Sequence, residues 1–158
     1  MPPRTPSAEI LTDLILSLFR ANNATLVWGD RLVRPFGLTS ARWQVIGAIA
    51  YADRPRPVAW LARDLGANRQ NIQRIVNDLA KDALVTFETN PHHRRAQLVV
   101  LTEAGKRAYA NAIDVWNPAA DALAHDLSAD ELTTALRVLD VLRARLAEMN
   151  AADDSADT

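Results

Sequence analysis

The stretch from Val58 to Leu101, VAWLARDLGANRQNIQRIVNDLAKDALVTFETNPHHRRAQLVVL, decides how the rest of the chain is read. Val58, Leu61, Ala62 and Leu65 recur at the i, i+3, i+4, i+7 spacing of one buried helical face. Gly66 follows where a left-handed C-terminal cap is needed, so this helix ends at Leu65. Asn68 can cap a second helix through its side-chain oxygen, and Ile72, Ile75, Val76 and Leu79 give that helix an apolar stripe. Its outer face is Arg69, Gln70, Asn71, Gln73, Arg74 and Asn77, with Asp78 the only acid between Asn68 and Leu79. Amides pair bidentately with adenine and guanidinium groups with guanine, so such a face suits base edges in a major groove. Taken alone, the helix also fits a solvated face that is poor in acids by chance.

The residues that follow narrow the choice. Val85 and Phe87 alternate with Thr86 and Glu88 as a half-buried strand does, and the valine-rich run Leu98–Leu101 can return beside it. The tip of the resulting hairpin, Asn90-Pro91-His92-His93-Arg94-Arg95, joins turn formers to four residues that can carry positive charge. In isolation Arg94 and Arg95 read as solubilising loop residues. Beside two short helices joined by a tight turn, they read as phosphate contacts, and the whole as a helix-turn-helix followed by a wing.

These residues resemble the MarR-type winged-helix transcriptional regulators. The resemblance rests on four pieces: Gly37-Leu38-Thr39-Ser40-Ala41-Arg42-Trp43-Gln44-Val45, the segment from Leu61-Ala62 through Leu79, Leu84-Val85, and Arg95-Ala96 leading to Leu101-Thr102-Glu103-Ala104-Gly105. Together they cover about residues 37 to 106 in family order. The chain departs from the family at three places: His93 stands where an Asp usually precedes the wing Arg, Ala83 where a Gly is usual, and Phe87-Glu88 where a basic residue follows Leu-Val.

The remainder of the chain fits a single regulator domain of 158 residues, mainly α with a small β-hairpin wing. Residues 37–102 form the winged helix-turn-helix, residues 1–36 and 103–150 supply flanking dimerisation helices, and residues 151–158 a disordered tail. Ser7 is placed to cap a first helix running to about Arg34, stopped by Pro35 and Gly37, after a short proline-rich arm. Ile10, Leu11, Leu14, Ile15, Leu18 and Phe19 give it an apolar face wider than one neighbour requires. Thr39 or Ser40 caps the next helix, with Trp43, Ile46, Ile49 and Ala50 inward, before a turn at Asp53-Arg54-Pro55-Arg56-Pro57. After the wing, Thr102 caps a helix whose seam is Tyr109, Ile113, Trp116, Ala120, Leu123 and Leu127, with a kink expected near Pro118. Ser128 and Glu131 form a capping box, opening a helix with Leu132, Leu136, Leu139, Leu142 and Leu146 on one side. Stripes this wide call for a partner, or else for a self-contained bundle cap on a monomer. The resemblance implies the partner: a homodimer matched to a palindromic site.

Charge supports the same reading. Between Arg54 and Ala108 there are 10 Lys+Arg against 5 Asp+Glu, in a chain whose net charge is -1. Positive charge concentrated on one segment is the footprint of a DNA contact surface, and a protein-interaction module, the alternative use of a winged helix, has no general need of it. With no Cys, five scattered Gly and no adjacent catalytic groups, no thiol nucleophile, Cys-based zinc site or phosphate-cradling loop can be built. The chain reads as neither enzyme nor cofactor protein. No apolar run spans a membrane and no secretory signal is visible, so a cytoplasmic protein is expected.

The residues expected to touch double-stranded DNA are Asn68, Arg69, Gln70, Asn71, Gln73, Arg74, His93, Arg94 and Arg95. Trp28, Trp43, Trp60 and Trp116 fall on four different helices, with core packing as their first role. The resemblance implies a further one, because such regulators often release DNA when a small aromatic or phenolic effector enters a pocket between the dimer helices and the winged helix. Trp28, Arg42 and Trp43 are the candidates for that pocket. It also implies that the regulator is more often a repressor.

Overall fold

The computed structural model describes residues 5–91, 93 and 95–156. Helix α1 (Pro6–Val33) begins at Thr5, whose hydroxyl accepts from the Ala8 N–H at 3.3 Å. The sequence places that cap at Ser7. Thr5 takes it because Pro6 already has a helical φ and lacks only an N–H that has no partner in the first turn. A single 3-10 turn, Arg34–Phe36, leads to α2 (Ser40–Tyr51), which Thr39 caps by accepting from the Arg42 N–H. Ser40 does something else. Its N–H donates to Asp30 Oδ1 at 2.6 Å and its hydroxyl to the Leu26 carbonyl at 3.0 Å, locking the start of α2 onto the end of α1.

In α2 the buried side is Val45, Ile46 and Ala48, with Trp43 and Ile49 half-buried and Ala50 exposed, contrary to expectation. The helix is apolar nearly all round, so its period alone does not define a side, and Ala50 falls at the edge of the buried face. Helix α3 (Val58–Asp64) closes at Leu65, with Gly66 at φ +60° in the left-handed region that glycine enters without steric cost. Asn68 then caps α4 (Arg69–Lys81), its side chain accepting from the Gln70 N–H at 2.8 Å. Ile72, Ile75, Val76 and Leu79 are buried, as their spacing predicts.

Strands β2 (Val85–Glu88) and β3 (Leu98–Leu101) form the predicted hairpin, with Val85 opposite Leu101 and Phe87 opposite Val99. A third strand, β1 (Arg56–Pro57), pairs with the other edge of β3 and gives the order β1-β3-β2. The sequence predicts only a turn there. Two residues ending in proline carry no alternation, and their strand character comes from β3, more than 40 residues on.

Helix α5 (Glu103–Ala124) starts at Thr102, whose hydroxyl accepts from the Gly105 N–H at 3.0 Å and donates to the Ala83 carbonyl at 2.7 Å. A Cβ at position 105 would overlap the Leu84 carbonyl oxygen. Only glycine lets the helix start against the backbone that closes α4. Pro118 lies inside α5, and the chain divides there into two compact units, one ending at Asn117 and the other beginning at Pro118. The core of the first is built on Val33, Val45, Ile46, Leu61, Val76, Leu79 and Val99.

The second unit contains α6 (Ala129–Ala156), opened by the Ser128–Glu131 capping box: the Glu131 N–H donates to Ser128 Oγ, and the Ser128 N–H to Glu131 Oε2 at 2.8 Å. Helix continues through Ala156, where a disordered tail is expected from Ala151. No Gly or Pro occurs after Pro118 to stop it. Leu132, Leu136, Leu139 and Leu146 are exposed on this helix, as are Ile10, Leu11, Leu14 and Phe19 on α1.

Candidate nucleic-acid interface

The outer face of α4 presents Arg69, Gln70, Asn71, Arg74 and Asn77 exposed and Gln73 half-buried, beside the capping Asn68. The side chains are ordered along the helix by neighbours one turn away. Gln73 Nε2 donates to Asn77 Oδ1 at 3.0 Å and Arg74 Nη2 to Asn71 Oδ1 at 3.0 Å. Asp78 is engaged by Lys81 at 3.1 Å. From Asn68 to Asn77 the face therefore holds two arginines and no carboxylate, and among the described residues neither arginine is in an ion pair.

The wing stands beside it. Asn90 is buried within the hairpin loop and clasps it: its Nδ2 donates to the Ala96 carbonyl at 3.0 Å, and its Oδ1 accepts from the His93 N–H at 3.3 Å. The Ala96 N–H donates in turn to the His93 carbonyl at 2.9 Å. Sequence reading takes Asn90 as a turn former only; its burial depends on contacts across the loop that no local pattern announces. Arg95 and His93 are exposed, and His92 and Arg94 lie outside the described residues. A groove of about 110 Å³ runs between the start of α4 and the wing, with Arg69 and Gln73 on one side and Phe87 and Arg95 on the other. The structure thus brings the acid-free face of α4 and a wing arginine to one groove.

The effector candidates are also placed together in part. Trp28 and Trp43 each meet Trp116 edge-on, with ring centroids 5.8 and 5.5 Å apart. Sequence reading puts Trp116 on a helix seam and misses that it joins the other two. Arg42, by default a solvated helix residue, instead pairs with Asp82, which caps the end of α4, and its own Nε is buried without a hydrogen-bond partner. It ties the base of α2 to the end of α4.

Among the described residues no group of His, Cys, Asp or Glu could hold a metal, and no helix is long and apolar enough to cross a membrane. Tyr109, packed beside Tyr51, has its phenol pushed up to about 12 by burial and by the Tyr51 hydrogen bond, so it stays protonated.

A model of the MarR family matches residues 36–96. An uncharacterised protein of Mycobacterium tuberculosis is 43% identical over 120 residues, covering 73% of this chain and 82% of that one. The chain belongs to the MarR family. The transcriptional activatory protein BadR of Rhodopseudomonas palustris is 30% identical over 106 residues, covering 64% of this chain and 59% of BadR. Among solved structures, a MarR/EmrR family transcriptional regulator from Acinetobacter sp. ADP1 superposes with a TM-score of 0.78 at 18% identity, over 88% of this chain and 98% of that one. CouR from Rhodococcus jostii RHA1, bound to p-coumaroyl-CoA, superposes with a TM-score of 0.70 at 22% identity, over 83% and 90% of the two chains. The fold of this MarR-family chain is a transcription regulator's winged helix.

Proposed function

We propose that the protein binds a palindromic DNA operator as a homodimer. Each α4 would lie in a major groove and each wing would follow the adjacent backbone. The observation that carries this reading is the continuous groove surface of Arg69, Gln73 and Arg95, next to an α4 face without a carboxylate. Gln70, Asn71, Gln73 and Arg74 offer the forks that read base edges, while Arg94 and Arg95 supply positive charge and His93 a ring nitrogen for phosphates. Two copies are needed because one recognition helix covers few base pairs, and the exposed leucines of α1 and α6 are the surface for that pairing.

Repression is the sign we propose, since a dimer seated on both half-sites blocks any promoter that it overlaps. BadR, named for activation, marks the other sign within reach of the same fold. Relief by a small aromatic effector is supported by the cluster of Trp28, Trp43 and Trp116, a set of rings on which an aromatic molecule could stack. CouR, solved with an aromatic thioester, is a relative in fold that binds such a molecule. The protein is expected to act in the cytoplasm, with no cofactor and no catalysis.

The test is selection of bound genomic fragments, followed by gel shifts at two salt concentrations. A shared palindrome among the fragments supports the reading, and Arg95→Ala should weaken all duplexes alike while lowering the salt slope by about one per protomer. No enrichment over random duplex, with an unchanged slope, would leave a winged helix that serves protein contacts instead.

A further inference from the structure

The chain has two tyrosines, and they meet. Tyr51 ends α2 and Tyr109 lies on α5, with ring centroids 6.1 Å apart and ring planes at 87°. Edge-on contact at that separation is ordinary aromatic packing, but the hydroxyl ends are also together: a hydrogen bond between the phenols helps to hold the proton on Tyr109. A glycine lets Tyr109 lie against α2. Gly47 is one turn before Tyr51 on the same face, and a Cβ there would be 3.7 Å from Tyr109 Cε2. Neither ring is sealed from solvent. Tyr51 is 81% exposed, and Tyr109 lines an open cleft of about 390 Å³ between the end of α2, β3 and α5. No cysteine is present to consume an oxidant first.

We propose that Tyr51 and Tyr109 form a site of oxidative phenol coupling, at which peroxide, acting through a one-electron oxidant, joins the two rings within one chain. Each phenol gives up one electron and its hydroxyl proton, leaving a radical whose unpaired electron is shared between the oxygen and the ortho carbons. An ortho carbon of one ring then bonds to an ortho carbon of the other, and the hydrogen displaced from each carbon returns to the oxygen. Two hydrogen atoms leave the protein, and one peroxide takes them up to become two waters. A pair already in contact couples in a unimolecular step, whereas a lone surface tyrosine must find a second chain. The new bond ties the end of α2, just before the loop into α3, to α5. It fixes the helix-turn-helix against α5 through chemistry that the DNA reading neither requires nor supplies.

The experiment treats the full chain, without DNA, with a haem peroxidase and hydrogen peroxide under conditions that couple N-acetyltyrosine, and separates single chains from linked ones on a denaturing gel. The single-chain band is expected to gain the blue fluorescence of dityrosine, to lose the mass of two hydrogens, and to give one proteolytic fragment that joins the Tyr51 and Tyr109 peptides. Its yield per chain should not change on dilution, as a unimolecular step requires. Oxidation of methionine adds oxygen instead and is told apart by mass. Tyr51→Phe changes only the hydroxyl of an exposed ring, so it keeps the fold even if Tyr109→Phe does not, and it should abolish the linked fragment. Dityrosine found only between chains overturns the proposal, as does a single-chain band without the linked fragment. Failure to bind an operator leaves this result untouched.

Discussion

Ala83 is a non-glycine residue in the left-handed region, at φ +56°, just after the cap of α4. The geometry is that of a helix terminator: the Leu84 N–H reaches back to the Leu79 carbonyl at 2.9 Å and the Ala83 N–H to Ala80 at 3.0 Å. An L-residue there costs about 1 to 2 kcal/mol in backbone strain, and the exposed methyl recovers none of it by packing. Ala83→Gly should therefore stabilise the fold by about 0.5 to 1 kcal/mol after the entropy cost of glycine, read as a higher denaturant midpoint at unchanged slope. Asp30 is a second residue whose neighbours set its behaviour. The hydrogen bond from the Ser40 backbone N–H foremost, with the Ser40 side chain beside it, holds its carboxyl below the ordinary range, and Arg34 adds to this against a small burial effect. A lowered folded value means that the stabilisation is complete above the unfolded pKa of about 3.9 and is lost as pH falls through the folded one. The wild-type advantage over Asp30→Asn should accordingly be present at neutral pH and shrink below about pH 4 in acid-unfolding curves. An advantage that does not change with pH would remove the carboxylate from the α1–α2 joint.

At the scale of elements, α3, α4 and the hairpin were legible because their information is local. Stripe spacing, one glycine and one asparagine cap defined the two helices, and alternation defined β2 and β3. What stayed hidden depended on distant partners. Strand β1 exists because β3 lies beside it, Asn90 matters because the loop folds round it, and Trp116 joins Trp28 and Trp43 only once three helices meet. The helical Ala151–Ala156 was missed for another reason: an acidic terminal segment reads as solvated whether or not the helix before it is stopped. The recognition face sits between these cases, since its composition was visible but its order was not. Gln73 is half-buried at the groove and is linked to Asn77, which holds the amide at a fixed rotation. Gln73→Ala should relax base preference at one position in each half-site, at about 1 to 3 kcal/mol, measured by competition among single-base operator variants. A uniform loss across all variants would make it a packing residue.

On the scale of the whole molecule, the proposed homodimer rests on exposed apolar surface rather than on charge. Leu132, Leu136, Leu139 and Leu146 recur along α6 at spacings of three, four and seven, and all are exposed, with Leu136 at 64%. A solvated helix does not keep such a row uncovered, because each leucine buried is worth about 1.5 to 3 kcal/mol. In the proposed homodimer a second copy of the same helix would be that cover, residue i of one meeting residue j of the other about the two-fold axis. Light scattering at micromolar protein should then give about twice 17.4 kDa. Leu136→Glu should shift the mass toward the single chain while leaving the helical circular dichroism of the first unit intact, since its buried core contains no residue of α6. DNA binding should fall more steeply than the loss of one contact explains, because two half-sites held by one dimer act at a high effective concentration and two monomers do not. A wild-type chain that runs as a monomer, or a Leu136→Glu variant that stays dimeric with full operator affinity, would move the dimer interface away from α6.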